Sequence, residues 1–207
     1  MLNKVELIGH YGGDLTHSLS AWTSTSRDLT PEKKGRMGKL LKFLAENEHH
    51  TPFEKSTLHF LVICDTASHI HLLKHRAGVS INGESARYRE HTEDKHYVPG
   101  DWPEDIKDIL AKYSELGYAL YHDAIKQLVD SGLDRKRAKE SARFFLPYSS
   151  QVTLDVAFNF RSFMHFYKLR AADDAQAEIR EIAEQMVELV KETGDFDLSL
   201  EAYGIDL

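Results

Sequence analysis

The sequence predicts an α+β fold in which helices dominate and a central sheet, antiparallel or mixed, forms the core. Apolar residues recur at helical spacing in residues 31–47 and 179–190, which predicts amphipathic helices. By contrast, residues 152–160 alternate between apolar and polar, and residues 58–64 form a continuous apolar run, as strands do. No internal repeat or long linker interrupts the pattern, so we expect one domain over residues 1–207, helix-rich and able to bury one sizeable core.

The overall composition excludes several classes of protein. A formal net charge of −7 argues against a broad nucleic-acid surface, which is usually basic. The chain has no run of about 18 apolar residues and no charged-then-apolar leader, so neither a membrane span nor a secretion signal is expected. Cys64 is the only cysteine, which excludes an intrachain disulfide and a Cys-rich zinc site. We therefore expect a cytoplasmic protein.

The first elements are predicted as follows. Residues 5–8 form a short strand that ends in a polar turn at 10–14. Residues 31–47 form a helix with Pro31 near its start. The run at 58–64 is predicted as a strand buried on both faces.

The middle of the chain is predicted to be helical around a polar loop. Asp65, Thr66 and Ser68 offer N-caps for a helix to about Arg76, with Gly78 as its stop. A loop over 89–103 follows the polar residues 74–88. Asp101 and Glu104 resemble a capping box for a long helix to about Ser131, and Asp134 starts another helix that Pro147 ends. After the alternating strand, a final amphipathic helix ends near Gly194.

Residues 74–88, KHRAGVSINGESARY, are expected to hold an anionic ligand. Arg76 and Arg87 can each present paired N–H donors to a phosphate, and Ser80, Asn82 and Ser85 add neutral donors. This density of cations contrasts with the acidic chain. The alternative interpretation is a charged surface loop whose polar side chains cap its own backbone.

Three other segments combine polar and aromatic residues. They are HHTPFE at 49–54, ARFFLP at 142–147 and NFRSFMHFYKLRAADDAQAEIR at 159–180. Arginines among aromatic residues need an anion or a planar group to stack on. The alternatives are a helix-to-strand connection for the first segment and an amphipathic helix with solvated arginines for the third.

We predict no metal site. His71 and His75, four residues apart on a predicted helix, could share one ion with His69 nearby, but no further ligand can be named and Arg76 would oppose a cation. Cys64 lies in the apolar run LVIC without an adjacent base, which favours a buried thiol over a nucleophile.

Taken together, these segments resemble the flavin-dependent thymidylate synthases. The signature of that family is commonly written RHRxxSxNxxSxRY, and this chain has KHRAGVSINGESARY at 74–88. The resemblance extends to TPFE at 51–54, ARFFLP at 142–147 and the segment 159–180. All four segments occur in the same order as in the family. The resemblance covers most of the chain between about residues 20 and 190.

The resemblance implies a homotetramer with active sites where subunits meet. Such an enzyme converts dUMP to dTMP with FAD as cofactor, methylenetetrahydrofolate as one-carbon donor and NADPH as reductant. No enzyme cysteine attacks the pyrimidine in this chemistry, which agrees with a chain whose only cysteine is Cys64.

The resemblance also implies residue roles. Arg170 faces the pyrimidine and favours its ionisation, and Ser85 is the second residue expected to be catalytic. The positions that match cofactor contacts are Ser26, His49, Thr51, Glu54, Lys74, His75, Arg76, Asn159, Arg161 and His165. The positions that match nucleotide contacts are His71, Gly83, Glu84, Ser85, Ala86, Arg87, Arg143 and Arg170.

Several positions depart from the family pattern. Lys74 replaces an arginine, His71 a glutamine, Gly83 a frequent glutamate and Asp174 a histidine, and the spacing from Arg76 to Ser85 is one residue longer than in the short motif. These changes leave open a related one-carbon transfer to another pyrimidine, such as dCMP, or a hydroxymethylated product. A metal-dependent nucleotide hydrolase and a non-catalytic nucleotide-binding oligomer are the alternatives from other classes.

Overall fold

The computed structural model describes residues 2–85 and 90–207. In that part of the chain the strands are β1 (Lys4–Tyr11), β2 (Thr57–Asp65), β3 (Val79–Gly83) and β4 (Gln151–Phe158). The α-helices are α1 (Asp14–Trp22), α2 (Pro31–Gly35), α3 (Met37–Glu46), α4 (Thr66–Leu72), α5 (Glu104–Asp130), α6 (Arg135–Ala142), α7 (Phe160–Arg170), α8 (Ala177–Lys191) and α9 (Asp197–Ala202). Two 3-10 turns span Thr51–Glu54 and Arg143–Phe145.

The strands form one antiparallel sheet in the order β1-β2-β4-β3. Two backbone hydrogen bonds illustrate the direction of the last pair, from Asn159 N to Gly78 O at 3.1 Å and from Glu84 N to Thr153 O at 2.8 Å. Residue numbers rise along one strand as they fall along the other, as antiparallel pairing requires. The predicted helix-rich α+β class with a central sheet is confirmed.

At the N-terminus the strand predicted over 5–8 is longer and a helix was missed. β1 continues through Tyr11, so the predicted turn begins later. α1 was not predicted because its buried side chains are polar: Asp14, His17 and Ser18 face inward. Apolar periodicity cannot reveal such a helix.

The predicted helix over 31–47 is two helices. α2 and α3 are separated at Arg36, whose φ of −106° and ψ of 0° interrupt the helical backbone. Pro31 lies in the first turn as predicted, and the Thr30 hydroxyl accepts a hydrogen bond from Lys33 N at 3.3 Å.

The strand predicted over 58–64 is confirmed as β2, but its burial on both faces is wrong. Its buried residues alternate with half-buried ones, so only one face is fully covered. The Asp65 carboxylate caps α4 by accepting from Ser68 N at 2.8 Å, as expected. α4 ends at Leu72, four residues before the predicted end at Arg76.

The polar segment 74–88 is not simply a loop. Val79–Gly83 form β3, because β4 offers a free edge to which they hydrogen-bond. The capping box at Asp101 is also wrong: α5 begins at Glu104 with Pro103 as its N-cap residue and no side-chain cap. The Asp134 carboxylate caps α6 as predicted, but that helix ends at Ala142 rather than near Pro147.

The C-terminal predictions hold with small shifts. β4 ends at Phe158, and Phe160 opens α7 instead of extending the strand. The final predicted helix is α8, and Gly194 follows it with a positive φ of 68°. α9 was not predicted because its six residues carry too little periodicity.

The backbone contacts divide the chain into two compact units. The first unit comprises residues 1–4, 62–74 and 82–154. Its helices α5 and α6 pack through Tyr121, Ile125 and Ala142. Gly117 lets α5 lie close to Pro147, which comes just after the 3-10 turn Arg143–Phe145. A Cβ at Gly117 would lie 2.8 Å from Pro147 Cδ.

The second unit comprises residues 5–61, 75–81 and 155–207. Aromatic side chains dominate its core, including the stacked rings of Phe160 and Phe196 at 5.4 Å. The expectation of a single domain over residues 1–207 stays a prediction.

A buried polar network lies within this aromatic core of the second unit. The His17 imidazole lies 2.9 Å from Ser199 Oγ through Nδ1 and 2.8 Å from Ser56 Oγ through Nε2. Ser199 Oγ in turn donates to Asp14 Oδ1 at 2.5 Å. This chain of bonds fixes His17 as the Nδ1–H tautomer, and it joins α1, α9 and the segment after residues 51–54.

No helix in residues 2–85 and 90–207 is both long and apolar enough to cross a membrane.

Candidate active site

The second unit contains a cavity of about 990 Å³. Its walls come from the end of α3, the turn at residues 51–54, the segment before β3, helix α7 and the C-terminal residues. The polar side chains that line it are Glu46, Glu48, His50, Glu54, Asn159, Arg161, Ser162, His165, Tyr167, Lys168 and Tyr203.

An ion pair lies in the wall of this cavity. Arg161 Nη1 donates to Glu54 Oε1 at 2.5 Å, across 107 residues of sequence. Pro52 and the fully buried Phe53 hold the short turn that presents Glu54. Half of the Arg161 side chain remains exposed, so part of its guanidinium is available to a ligand.

The start of α7 forms a second wall. The Asn159 side chain accepts from Ser162 N at 2.8 Å and so caps the helix. Ser162 Oγ donates to Ala77 O at 2.7 Å, which ties α7 to the segment before β3. Gly78 has a φ of 65°, and a Cβ there would lie 2.3 Å from Asn159 Nδ2. Only glycine therefore permits this close approach.

Several cavity residues were not predicted as site residues, and His50 and Tyr203 form a pair among them. His50 Nδ1 lies 3.1 Å from the Tyr203 hydroxyl, and their rings stack at 6.2 Å. Burial raises the pKa of Tyr203 to about 12; Arg161 opposes this effect and Glu54 adds to it. The adjacent histidine pair at 49–50 could have indicated His50, but nothing in the sequence indicated Tyr203.

Arg170 and His75, assigned to different ligands from the resemblance, are in direct contact. Arg170 Nε donates to His75 Nε2 at 3.0 Å. The buried His75 ring also packs edge-on against Phe166 at 5.0 Å and lies 6.2 Å from the His165 ring. The structure thus gathers two expected cofactor residues around the expected catalytic arginine.

The other expected cofactor residues lie elsewhere. Ser26, His49 and Thr51 belong to the second unit but do not line the large cavity. The His49 ring instead contacts Phe43 at 6.1 Å. Arg76 is exposed in the second unit, and Lys74 is exposed at the C-terminal side of α4 in the first.

The described residues expected to contact the nucleotide, other than Arg170, belong to the first unit. The His71 ring is half-buried, and its buried Nδ1 has no hydrogen-bond partner among the described residues. Gly83 ends β3, Glu84 is exposed and Ser85 is half-buried. Arg143 is exposed and donates from Nε to Glu140 O at 3.1 Å. Ala86 and Arg87 lie outside the described residues.

The histidines near α4 do not form a metal centre in the described part of the chain. Residues 2–85 and 90–207 contain no group of three or more His, Cys, Asp or Glu side chains placed to hold an ion. Burial lowers the pKa of His69. Cys64 is fully buried, and burial raises the pKa of its thiol well above the usual range, as expected for a core residue.

Comparison with solved structures gives a close fold match. A UMP/dUMP methylase, PolB, from Streptomyces cacaoi, bound with 5-Br dUMP, superposes with a TM-score of 0.81 and 29% sequence identity. The match covers 98% of this chain and 94% of that one.

Sequence comparison points the same way. The chain is 31% identical to a flavin-dependent thymidylate synthase of Pseudothermotoga lettingae, over 90% of this chain and 84% of the relative. It is also 31% identical to the enzyme of that name from Thermosipho africanus, over 91% and 86%. The family model described as thymidylate synthase complementing protein matches residues 6–193. The chain therefore belongs to the thymidylate synthase complementing protein family.

Proposed function

We propose that this chain is a flavin-dependent thymidylate synthase. It converts dUMP to dTMP, with FAD as cofactor, methylenetetrahydrofolate as one-carbon donor and NADPH as reductant. Relatives with that name match over nine-tenths of the chain. The observation that carries the proposal is structural: Glu54, Asn159, Arg161 and His165, which match flavin contacts in separate motifs, line one cavity.

The cavity residues fit a flavin. A volume of about 990 Å³ is large for a small-molecule pocket, as an extended dinucleotide requires. Arg161 and Lys168 supply positive charge for phosphate groups, and Asn159 and Ser162 supply neutral hydrogen-bonding groups. The missing side chain at Gly78 lets Asn159 and Ser162 pack against its backbone, which keeps these two groups in the cavity wall.

The bound flavin would supply the hydride that reduces the transferred one-carbon unit to a methyl group. The chain's own contribution centres on Arg170. Its Nε–H is committed to His75, which leaves the two Nη groups to face the pyrimidine. A guanidinium held in place in this way stabilises negative charge that develops on the ring when C5 becomes nucleophilic. His75 accepts the Nε–H bond and therefore acts as a neutral imidazole.

The nucleotide is proposed to be held by the residues that match the family motif. Arg143 and Arg87 would provide charged donors to the phosphate, and Ser85 a hydroxyl. The unpartnered Nδ1 of His71 supports a polar contact with this ligand, because a buried ring nitrogen without a hydrogen bond is unfavourable.

Purified protein tests the proposal directly. We expect a bound flavin with its absorbance band, and dTMP formation from dUMP when methylenetetrahydrofolate and NADPH are present. Rescue of a thymidine-requiring strain tests substrate, product and activity together. Turnover of dCMP in place of dUMP, or a hydroxymethylated product, would instead support the related one-carbon transferase. A colourless, zinc-containing hydrolase would refute the proposal.

UMP is a second candidate substrate. The matching structure from Streptomyces cacaoi is described as a UMP/dUMP methylase and was also solved with 5-Br UMP, with 28% identity and a TM-score of 0.74. Parallel turnover assays with UMP and dUMP decide this point, because the two nucleotides differ only by the 2′-hydroxyl group.

We also propose that copies of the chain assemble into a homotetramer in the cytosol. Support comes from an exposed apolar stripe on α5, formed by Ile106, Ile109, Tyr113, Leu116 and Leu120. Alternating spacings of three and four residues place these side chains in one row, as on helices that pack against a second helix. The single, reduced and buried Cys64 agrees with a cytosolic location.

A further inference from the structure

A smaller cavity of about 380 Å³ lies in the second unit, beside helices α2 and α3. Its lining combines two kinds of side chain. Trp22, Leu40 and Phe43 are apolar, and two of them are aromatic. Lys33, Arg36 and Lys39 are cationic. None of these residues belongs to the signature motifs discussed above.

The positive charge of this cavity is only weakly balanced. Among residues 2–85 and 90–207, no carboxylate lies within 4 Å of the Lys39 amine. Arg36 has a carboxylate at 3.6 Å, that of Glu32, but both side chains are more than two-thirds exposed, so the pair is weak. The chain as a whole carries a charge of −7, so three cations around one cavity with one weak carboxylate pair depart from the average charge of the protein.

Lys33 is held in a defined position. Its Nζ donates to Ser26 O at 2.6 Å and lies 5.3 Å from the centre of the Trp22 ring. The cation–π contact orients the lysine beside the indole. The site therefore offers a fixed charge next to a large planar surface.

We propose that this cavity binds a planar aromatic group that carries two or more negative charges. Trp22 and Phe43 provide surfaces for stacking, and Arg36 and Lys39 provide donors for carboxylate or phosphate oxygens. The inference rests on the proposed function, which requires two cosubstrates of this chemistry. One is the p-aminobenzoyl-glutamate end of the folate, and the other is the 2′-phosphoadenosine end of NADPH.

Helix α3 supports the assignment to a cosubstrate. Its Leu40 and Phe43 line the small cavity, whereas its Ala45 and Glu46 line the large one. The same helix thus contributes residues to both cavities. An elongated molecule with a reactive end and a distant anionic end suits this arrangement.

Trp22 provides a direct probe, because the chain contains only two tryptophans. In a Trp102→Phe variant, all tryptophan fluorescence comes from Trp22. We expect 2′,5′-ADP, p-aminobenzoyl-glutamate or both to quench it at millimolar concentration or below, and added salt to weaken the effect. Adenosine, which lacks the charges, should quench at least about tenfold less effectively.

Charge removal distinguishes a built site from general attraction. In the Trp102→Phe background, Lys39→Ala and Arg36→Ala should each raise the apparent Kd about fivefold. Lys42→Ala is the matched control, since Lys42 also lies on α3 but pairs with Glu46 at 3.9 Å and does not line the cavity. Its Kd should stay within about twofold of the background.

The two probes assign the source of the ligand: quenching by 2′,5′-ADP indicates NADPH, and quenching by p-aminobenzoyl-glutamate indicates the folate. Absence of quenching by both, or equal binding in the Lys39→Ala and Lys42→Ala variants, would overturn the inference. The readout does not need turnover. An enzyme that makes dTMP but shows no quenching at Trp22 refutes the cavity assignment alone, and quenching without dTMP formation refutes the proposed function alone.

Discussion

Arg170 and His75 form a hydrogen bond of 3.0 Å between Nε and Nε2, although 95 residues separate them in the sequence. Because the guanidinium can only donate, His75 must accept and is therefore neutral, with its proton on Nδ1. The bond joins the segment 74–88 to the segment 159–180, so the two motifs meet at a defined pair of atoms. It gives the proposed catalytic arginine a fixed orientation.

Arg170→Lys should remove this orientation while keeping the charge. We expect dTMP formation to fall by about 10²- to 10³-fold, because an ammonium cannot both bond His75 and face the ring with paired donors. Flavin absorbance should be retained. Single-turnover assays measure the chemical step, and His59→Ala, at an exposed histidine paired with Asp155, serves as control. Near-normal turnover in Arg170→Lys would refute the proposed role.

Gly78→Ala should disturb the wall of the large cavity. The positive φ strains any side chain there, and the new Cβ would displace Asn159 and Ser162. We expect the free energy of unfolding to fall by about 3 kcal/mol and flavin binding to weaken. Gly194→Ala is the matched control: its φ of 68° imposes similar strain, but nothing lies within 4 Å. That variant should lose only about 1 kcal/mol and keep its flavin. Equal losses in the two variants would show that the close approach to Asn159 is unimportant.

The ion pair between Arg161 and Glu54 should be coupled in a double-mutant cycle. We expect Arg161→Ala and Glu54→Ala to be non-additive in unfolding free energy by about 0.5–1 kcal/mol, since both groups are partly exposed. Chemical denaturation of the flavin-free protein measures this coupling. Flavin affinity should fall more in Arg161→Ala than in Glu54→Ala, because the guanidinium is the proposed phosphate donor. The reverse order would contradict that assignment.

Sequence patterns predicted two strands of the sheet better than they predicted the surrounding elements, and the roles of the motif residues stay predictions. β2 and β4 were recognised because their apolar residues form a run or alternate, and Glu54 and Arg161 because they belong to short motifs. Helix α1 was not predicted because its buried His17 is hydrogen-bonded by the hydroxyls of Ser56 and Ser199. Such distant partners cannot be inferred from the spacing of residues in the sequence. Tyr203 was not predicted because its place in the cavity wall depends on how the C-terminal residues pack against His50.

Stability should decrease in mild acid because of His17. Burial lowers the pKa of this imidazole from 6.5 to about 4. Between these two pH values the unfolded chain takes up a proton that the folded protein does not, so the stabilisation is complete above pH 6.5 and is lost as the pH falls to about 4. The loss amounts to about 3 kcal/mol. Burial raises the pKa of Asp14, which opposes part of this trend at the acidic end.

Urea unfolding at pH 7 and pH 4.5 measures the His17 effect. In His17→Gln the unfolding free energy should depend less steeply on pH, although the variant is less stable at pH 7. His59→Gln, at an exposed histidine, should keep the steepness of the parent protein. A parent and a His17→Gln variant with the same pH dependence would contradict the buried-histidine explanation.

The apolar stripe on α5 should control assembly. Leu116 and Ile109 are 57% and 62% exposed in the isolated chain, and a paired helix would cover them. The double variant Ile109→Glu, Leu116→Glu should therefore sediment as a smaller species than the parent protein, because like charges would face each other across the interface. Lys126→Glu is the control: it introduces a carboxylate at an exposed position of the same helix that is not three or four residues from any member of the stripe. Light scattering after size-exclusion chromatography gives the masses. A double variant with the parent mass would exclude this face as the contact between copies, whereas a smaller mass with lost dTMP formation would support active sites that need neighbouring subunits.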